Sequence, residues 1–354
     1  MSEKLKQLRK QIDQLDDELL KLLNQRAGLA QQIGHLKEDG KVLRPEREAQ
    51  VLARLQGANS GPLSNAAVAQ LFTEVMSQCR ALEAPLTVAY LGPEGTFTEA
   101  AALKRFGSAI QGQSCATIDE VFRAVESGSA HYGVVPAENS TEGAIGRTLD
   151  MLLQSPLQIC GEVMLPIHQC LLGKHAKLSG IKTVYSHPQS LGQCQGWLNT
   201  HLSHAARIPV ASNAEAARLA AENKHSAAIA GIQAAALFGL DLLAENIEDD
   251  AKNTTRFVVL GGQQVAPSGN DKTSLVMSAA NRPGAVHDLL VPLARHGVSM
   301  TRLESRPARS GMWEYVFYVD IEGHQADVKV AAALAELKQI AAFVKVLGSY
   351  PAAV

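Results

Sequence analysis

A polar stretch that runs directly into an apolar one is the first part of the chain that could do chemistry. It consists of Asn253, Thr254, Thr255 and Arg256, and residues 257–260 after it are apolar. This pattern predicts a loop that delivers polar groups to the mouth of a buried strand. A hydroxyl beside an arginine suits an anionic substrate whose leaving group needs a proton. A solvated loop entering a strand is the competing interpretation.

Three further polar loops, 92–98, 136–143 and 186–194, lie beside predicted strands. The first is rich in glycine and precedes a helix, so backbone N–H groups and the Thr96 hydroxyl form a plausible carboxylate site. The second follows a strand, where open α/β folds place ligands, although a plain turn also fits. None matches G-x-x-x-x-G-K-[ST] or G-x-G-x-x-G, which excludes nucleotide binding.

Histidines offer little further chemistry. His187 is an acid–base candidate, but a histidine before a proline at a helix start is more often a structural hydrogen bonder. His168, His201 and His204 have no ligand partners at convincing spacing. We therefore predict neither a metal site nor a cofactor.

Basic residues near the N-terminus form a second candidate site. Arg26 and Lys37 are eleven residues apart, close to three helical turns, so they project from the same face. Arg9 points elsewhere and is better placed to serve a neighbouring subunit. Arg47 and Glu48 are adjacent on a second predicted helix. Ordinary surface charges are the competing interpretation for each of them.

The elements that must position these residues fall into three groups. The first is helical: a long amphipathic helix runs from residue 5 to about residue 40, a second from Pro45 to about Leu55, and a third after the cap Ser64. The first helix would span roughly 54 Å, too long for a small helical monomer to cover, so we predict that a partner chain packs along it.

Strands and helices alternate in the second group. We predict strands at 86–91, 132–135, 183–185, 208–211 and 227–230, and helices after the loops 92–98 and 186–194 and at 117–127, 215–222 and 232–238. This order implies mostly parallel sheets, and its length favours two lobes with a cleft.

The third group follows a linker at 266–270. The predicted order is strand 273–278, helix 285–296, strands 298–305 and 313–321, helix 327–340 and strand 344–349. That is βαββαβ, the ferredoxin-like order.

Composition limits the classes of function. The chain has 354 residues, 46% of them hydrophobic and 19% charged, which describes a soluble protein of two or three domains. A net charge of −2 argues against nucleic acid. Five cysteines without a C-x-x-C pair, a charged N-terminus and the lack of a long apolar run predict a cytoplasmic protein with no membrane partner.

Residues 3–84 resemble the all-helical chorismate mutases. The matching residues are Leu8-Arg9-x-x-Ile12-x-x-Leu15-Asp16, Arg26, Lys37, Arg47-Glu48 and Glu83. Chorismate rearranges by itself, so an enzyme need supply only geometry and charge stabilisation. The resemblance implies that Arg26, Arg47 and the partner's Arg9 grip carboxylates. It also implies that Lys37 donates to the ether oxygen, with Glu48 in the same site.

Two positions depart from that family. Glu83 stands where many relatives have a glutamine that donates to the ether oxygen, and a carboxylate donates only when protonated. We therefore expect mutase activity that declines as pH rises and a flatter profile for Glu83→Gln. Arg44 stands where relatives often have an acidic residue, which puts a contact with the substrate hydroxyl in doubt.

The middle of the chain resembles prephenate dehydratase. The matching motifs are Gly92-Pro93-x-Gly95-Thr96-Phe97, Pro136-x-Glu138-Asn139-Ser140, Ser186-His187-Pro188-Gln189 with Gln193-Cys194, and Thr255-Arg256-Phe257. The family has two α/β lobes, like the periplasmic solute-binding proteins, and removes CO₂ and water from prephenate. Its site residues would be Thr96, Asn139, Ser186, His187, Gln189, Gln193, Thr255, Arg256 and Phe257.

Their roles follow from the same resemblance. Thr255 would donate to the leaving hydroxyl, either supplying the proton or stabilising the group while another donor does so. Asn139, Ser186, Gln189 and Gln193 would position polar groups. Arg256 and the Thr96 loop would hold carboxylates.

Two segments of the last group, Asn281–Val286 and Glu304–Pro307, resemble the binding segments of ACT regulatory domains. Such domains bind phenylalanine at a dimer interface and inhibit the enzyme. The expected contacts are Gly284, Ala285, Val286, Glu304, Ser305, Arg306 and Pro307. A docking domain that binds nothing is the alternative.

The sequence thus predicts a multidomain chain with an all-α segment at 1–84, a two-lobed α/β dehydratase at 85–265 and a ferredoxin-like ACT domain at 271–354. The combined resemblance is to bifunctional chorismate mutase–prephenate dehydratases, inhibited by phenylalanine and at least dimeric. Two alternatives are a dehydratase whose helical segment is only a dimerisation arm, and a cytosolic amino-acid sensor without turnover.

Overall fold

The computed structural model describes residues 3–37, 42–174, 177–279, 282–307 and 315–353. The chain forms two compact units. The helical unit comprises residues 1–86 and 105–111, and the larger unit comprises residues 87–104 and 112–354.

Three helices make up most of the helical unit: α1 (Glu3–Leu36), α2 (Pro45–Ala58) and α3 (Asn65–Ala81). The predicted cap of α3 is confirmed, because Ser64 Oγ accepts from the Ala67 N–H at 3.1 Å. No residue of α1 is buried. Its apolar stripe is exposed, including Leu15 at 63% and Leu22 at 61%, so this helix has an unpaired apolar face.

The first lobe of the larger unit holds a six-stranded sheet. Its strands are β1 (Thr87–Leu91), β2 (Gln111–Cys115), β3 (Tyr132–Asn139), β4 (Gly143–Ala144), β5 (Gln158–Pro166) and β11 (Thr254–Gly261). The main order is β2-β1-β3-β11-β5, with β4 paired to β3. Its helices are α4 (Phe97–Phe106), α5 (Ile118–Glu126) and α6 (Gly146–Gln154).

Two local expectations for this sheet were wrong. The stretch Thr254–Arg256 is part of β11 rather than a loop, because it pairs with strands on both sides. Strand β3 does not stop at Pro136 but continues to Asn139. Pro136 lies opposite Phe257 at a register shift, and such an irregularity lets a strand accommodate a residue without an N–H.

The second lobe holds a five-stranded sheet in the order β10-β6-β9-β7-β8. Its strands are β6 (Cys170–Gly173), β7 (Thr183–Ser186), β8 (Ala206–Pro209), β9 (Ser226–Ala230) and β10 (Asp241–Ala244). Its helices are α7 (Pro188–Gln193), α8 (Gln195–His201), α9 (Asn213–Glu222) and α10 (Gln233–Phe238). The expectation of mostly parallel sheets was wrong. The chain enters this lobe through β5 and β6 and returns through β10 and β11, and these connecting strands run antiparallel to their partners.

The C-terminal domain has the predicted βαββαβ order. Its elements are β12 (Asp271–Ser278), α11 (Ala285–Arg295), β13 (Met300–Pro307), β14 (Tyr315–Glu322), α12 (Val328–Ile340) and β15 (Phe343–Pro351). They form a four-stranded antiparallel sheet in the order β13-β14-β12-β15. Asn281 of the first predicted binding segment and Trp313 of the third predicted strand lie outside the described residues.

This domain shares a core with the first lobe. Tyr318 and Leu347 pack in one buried cluster with Leu149 and Leu152. The backbones also meet, because a Cβ on Gly348 would lie 2.2 Å from the Ile159 carbonyl oxygen. The two sheets are therefore in direct contact.

Candidate active sites

The helical unit brings Lys37 and Glu83 together, as the mutase resemblance requires. Lys37 Nζ donates to Glu83 Oε2 at 2.7 Å and to the Val42 carbonyl oxygen at 3.2 Å. Their side chains are only 18% and 11% exposed. Glu83 is thus a hydrogen-bond acceptor in this structure, and it must take up a proton before it can donate.

A glycine makes room for this pair. A Cβ on Gly34 would lie 2.9 Å from Glu83 Cγ, so Glu83 packs directly against the backbone of α1. Nothing in the local sequence around Gly34 indicates this contact, since Glu83 is far along the chain. Gly34 is therefore a site residue that sequence analysis missed.

Glu48, which was expected in the substrate site, is held by two arginines. Its carboxylate accepts from Arg80 and, at 2.9 Å, from Arg105. Arg26 is half-buried, whereas Arg47 is exposed on α2. The exposed Arg9 lies on α1, the helix whose apolar face is unpaired.

In the first lobe, Thr255 and Asn139 form the centre of the second site. They are register partners on β11 and β3, and both are buried. Asn139 Nδ2 donates to Thr255 Oγ1 at 2.9 Å. Because the Thr255 oxygen already accepts this bond, its own hydrogen can be donated to a group bound in the site.

The other contacts of Asn139 hold its amide in one orientation. Its Oδ1 accepts from Thr141 N–H at 3.0 Å, Thr141 Oγ1 at 2.6 Å and Glu142 N–H at 3.2 Å. Its Nδ2 also donates to Asn253 Oδ1 at 2.8 Å. Asn139 is therefore built to position Thr255.

Asn253 is a second residue whose role the sequence did not reveal. Its side chain is 2% exposed, and within the described residues its Nδ2 has no hydrogen-bond partner. A buried amide donor without a partner is costly and needs an explanation. It lies one residue from Thr254 and shares the Asn139 amide with Thr255, so the orphaned donor belongs to this site.

The second lobe gathers the next predicted residues into one network. Ser186 Oγ lies 2.9 Å from both Asn213 Oδ1 and the Ile229 carbonyl oxygen. His187 is the N-cap of α7, and its Nδ1 accepts from the Gln189 N–H at 3.3 Å. The ring of His187 thus has the structural contact that the competing interpretation expected.

Gln193 joins the two lobes. Its Nε2 donates to Glu142 Oε1 at 3.5 Å, on the loop that Asn139 holds, and its Oε1 accepts from Gln169 Nε2 at 3.3 Å. Gln169 is 1% exposed and its Oε1 has no partner among the described residues. A chain of amides therefore runs from the Asn139 loop into the second lobe.

In loop 92–98 the Thr96 hydroxyl and the Gly95 N–H form hydrogen bonds within the chain itself. Thr96 Oγ1 donates to the Leu91 carbonyl oxygen at 3.1 Å and accepts from the Glu99 N–H at 3.4 Å, while Glu99 Oε2 accepts from the Gly95 N–H at 2.6 Å. This is a capping box at the start of α4. The Thr96 side chain therefore shapes the loop, and the carboxylate contact expected from this loop stays a prediction.

Arg256 also differs from the expectation that it holds a substrate carboxylate. Its Nε donates to Glu162 Oε2 at 2.8 Å, its Nη1 to Asp320 Oδ2 at 2.5 Å and its Nη2 to Tyr350 Oη at 2.8 Å. Successive strand residues point to opposite faces, so Arg256 points away from Thr255. Burial raises the pKa of Tyr350, as does the charge of Asp320, so its hydroxyl keeps its proton. Phe257, the third residue of the motif, is buried at 2% exposure.

A cavity of about 280 Å³ lies one strand from Thr255. Leu165, which is the register partner of Thr255 on β5, lines it together with Phe97 of the glycine loop. Its ionisable lining residues are His168, Cys170 and Glu245. The cavity therefore adjoins both predicted motifs.

In the C-terminal domain the two expected binding segments lie at a helix start and on an edge strand. Gly284 caps α11 with φ 76°, a left-handed conformation that glycine adopts easily. Ala285 and Val286 begin the helix, while Glu304, Ser305, Arg306 and Pro307 end β13. Arg306 faces the first lobe, with Nη2 3.5 Å from Asp150 Oδ1.

In residues 3–37, 42–174, 177–279, 282–307 and 315–353, no group of three or more His, Cys, Asp or Glu side chains could hold a metal ion. The helices within these ranges lack the combination of length and apolar character that a membrane span requires.

Comparison with family models gives three matches. Residues 8–84 match chorismate mutase type II, residues 88–265 match prephenate dehydratase, and residues 273–339 match the ACT domain. Together these matches cover most of the chain.

Individual relatives agree with these matches. The bifunctional chorismate mutase/prephenate dehydratase of Neisseria gonorrhoeae is 55% identical over 349 residues, covering 98% of this chain and 96% of that protein. The protein of the same name from Pseudomonas aeruginosa is 51% identical over 360 residues, covering 99% of each. The crystal structure of prephenate dehydratase in complex with L-Phe from Arthrobacter aurescens has a TM-score of 0.70 at 36% identity, covering 75% of this chain and 90% of that one.

Proposed function

The chain belongs to the family of bifunctional chorismate mutase/prephenate dehydratases, and from that membership we propose which of its residues carry each reaction. It is an enzyme with both activities: it rearranges chorismate to prephenate and converts prephenate to phenylpyruvate, CO₂ and water.

In the mutase site, Lys37 donates to the ether oxygen of chorismate as its bond to carbon breaks. The 2.7 Å contact between Lys37 Nζ and Glu83 Oε2 supports this, because it places the ammonium and the carboxyl close enough to contact the same substrate atom. Once protonated, Glu83 donates to the same oxygen. Arg26, Arg47 and the partner subunit's Arg9 bind the carboxylates of the substrate. No nucleophile is required, since the rearrangement is intramolecular.

In the dehydratase site, Thr255 donates a hydrogen bond to the hydroxyl that leaves the ring. The observation that carries this assignment is the bond from Asn139 Nδ2 to Thr255 Oγ1, which leaves the Thr255 hydrogen free for the substrate. As CO₂ leaves, its bonding electrons move into the ring and expel the hydroxide. A donor aimed at that oxygen stabilises the charge that develops on it.

Asn253 supplies a further donor to the same substrate. Its buried Nδ2 lacks a partner in the described part of the chain, and a substrate carboxylate would satisfy it. Ser186, His187, Gln189 and Gln193 contribute the wall of the site from the second lobe.

The C-terminal domain makes the enzyme sensitive to phenylalanine. The Arthrobacter aurescens relative is described in complex with L-Phe, and its fold covers three quarters of this chain. Residues 284–286 and 304–307 are the segments that we assign to this effector. Bound phenylalanine then inhibits the pathway that produces it.

The active form is at least a homodimer. Leu15, Leu22 and the other apolar residues of α1 are exposed in one chain, and a second copy laid along this helix would cover them. We also place the enzyme in the cytoplasm, because its five cysteines, all within the described residues, form no disulfide bond, as in a reducing compartment.

A coupled assay tests these assignments. Chorismate is added to the purified enzyme, and its loss and the appearance of phenylpyruvate are followed with and without phenylalanine. The Lys37→Met variant should lose turnover of chorismate but keep turnover of added prephenate. The Thr255→Val variant should instead accumulate prephenate.

Each alternative predicts a different result. Phenylpyruvate from prephenate but not from chorismate would make the helical unit a dimerisation arm. No turnover of either substrate, with phenylalanine still bound, would make the chain a sensor.

A further inference from the structure

The residues next to Thr255 and Asn139 face the C-terminal domain. Arg256 follows Thr255 on β11, and Glu138 precedes Asn139 on β3. The two are register partners, just as Thr255 and Asn139 are. Because successive side chains of a strand point to opposite faces, one pair faces the site and the other faces away from it.

Arg256 forms hydrogen bonds with residues on two strands of the C-terminal domain. Its guanidinium donates to Asp320 on β14 at 2.5 Å and to Tyr350 on β15 at 2.8 Å. Ser274 on β12 braces both partners, at 2.5 Å from Asp320 Oδ1 and 2.6 Å from Tyr350 Oη. Arg256 and Asp320 are 7% and 4% exposed. This contact is therefore buried and has one defined geometry.

Glu138 forms an ion pair with the same domain through another strand, but its side chain is 35% exposed and Arg302 Nε makes no hydrogen bond within the described residues. Its Oε2 lies 2.7 Å from Arg302 Nε and 4.0 Å from Arg256 Nη1. Arg302 lies on β13, two residues before Glu304 of the segment assigned to the effector. A shift of β13 therefore acts on the residue that adjoins Asn139.

We propose that Arg256 and Glu138 are positioning residues, through which Asp320 and Arg302 of the C-terminal domain set the placement of Thr255 and Asn139. The inference rests on the proposed dehydratase site and extends it to its control. Neither residue touches the substrate. Arg256 fixes the backbone beside Thr255, and Glu138 fixes the backbone beside Asn139.

The physical basis is the rigidity of a buried ion pair. A buried ion pair in low dielectric is favourable only in a narrow geometry, so a movement of β14 either breaks the Arg256–Asp320 pair or carries β11 along. A displacement of Thr255 by about 1 Å is enough to cost roughly a hundredfold in rate. An effector bound to the C-terminal domain can then slow dehydration without entering the active site.

The test uses Asp320→Asn in the full-length enzyme. We expect kcat for prephenate to fall roughly ten- to a hundredfold while KM changes little, because transition-state geometry is lost and binding is kept. Phenylalanine should still bind by calorimetry but inhibit the variant less than the native enzyme. The milder Tyr350→Phe variant, which removes one hydrogen bond, should show both effects in smaller measure.

Lys272→Met is the matched control. Lys272 donates to Glu162 at 2.7 Å in the same cluster, and no hydrogen bond or ion pair among the described residues joins it to Arg256. Its loss should leave kcat and inhibition close to native values. The thermal unfolding transition of each variant, recorded by circular dichroism, reports folding of the larger unit.

Two results would overturn the proposal. One is native kcat and native inhibition in both Asp320→Asn and Tyr350→Phe. The other is an equal loss in Lys272→Met, which would indicate a merely structural cluster. If the native enzyme fails to convert prephenate at all, the proposed function has failed, and that outcome is visible before any variant is compared.

Discussion

Asn139 and Thr255 lie opposite each other on antiparallel strands, and the Asn139 amide donates to the Thr255 hydroxyl over 2.9 Å. The amide fixes the direction in which the threonine can donate. Asn139 thus orients the hydroxyl of Thr255, and Thr255 acts on the substrate.

Removing the Thr255 hydroxyl tests this division. Thr255→Val keeps the shape of the side chain but deletes the donor, and we expect kcat for prephenate to fall roughly 10²- to 10³-fold. Thr255→Ser keeps the hydroxyl and should retain most of the activity. Steady-state kinetics with prephenate measure both, and the mutase rate serves as the control. A valine variant within a few-fold of the native kcat would rule out Thr255 as the donor.

Asn253 should act on binding. If its Nδ2 donates to a substrate carboxylate, Asn253→Ala loses a bond to a charged group, so KM for prephenate should rise roughly ten- to a hundredfold. Asn253→Asp should be worse, since a second anion would face the substrate. An unchanged KM in both variants would show that the orphaned donor has another purpose.

The mutase site makes a prediction about pH. Glu83 can donate only when protonated, so mutase activity should decline as pH rises and the carboxyl loses its proton. Glu83→Gln donates at every pH and should give a flatter profile. The profiles are recorded from the loss of chorismate. A parallel decline in both proteins would refute a donor role for Glu83.

Assembly through α1 can be broken at its apolar face. Replacing Leu15 and Leu22 by glutamate places charges where a partner chain is expected, so sedimentation should show a smaller species. Mutase activity should be lost with it, because Arg9 is then no longer supplied to the neighbouring site. Leu63→Glu, at a leucine that is also exposed but outside α1, is the control. A monomer with full mutase activity would contradict both expectations.

Lys345 links the C-terminal domain to α6. Its ammonium donates to the carbonyl oxygens of Leu152, Leu153 and Ser155 at 2.6 to 3.0 Å. Lys345→Met should lower the free energy of unfolding by about 1–3 kcal/mol, as the loss of hydrogen bonds from a charged group does. Chemical denaturation at pH 7 measures the change.

The same lysine should give a pH dependence of stability. Burial lowers the pKa of Lys345, so the unfolded chain binds its proton more tightly than the folded chain does. Native stability should therefore rise as pH increases through the window below the ordinary lysine pKa, and this rise should be absent in Lys345→Met. Identical slopes for the two proteins would contradict this assignment.

Local signals explain what the sequence could predict. Ser64 caps α3 as expected, and Thr117 Oγ1 accepts from the Glu120 N–H at 3.2 Å, as the predicted capping box requires. The pair Thr96 and Glu99 has the same spacing, but the glycines beside it favour a carboxylate site when only the sequence is considered. Such capping patterns can be predicted because all of their residues lie within a few positions of one another in the sequence.

The missed features depend on residues far apart in the chain. Arg256 is hydrogen-bonded to Asp320 and Glu162, which are 64 and 94 positions away in the sequence, respectively. Nothing near Arg256 in sequence indicates either partner. The unpartnered Nδ2 of Asn253 is likewise visible only in the structure, because it is identified by burial and by the lack of an acceptor among the described residues.

The close approach at Gly348 bears on how the chain can be divided. Strand β5 is the last strand of its sheet, and β15 packs backbone to backbone against it at Ile159. A fragment that ended at the linker 266–270 would uncover β5, and a bare edge strand is a template for aggregation. The linker therefore marks a domain boundary in the sequence, but truncating the protein there would expose β5. A regulatory domain transplanted from another protein would need a glycine at the position of Gly348, where β15 contacts β5.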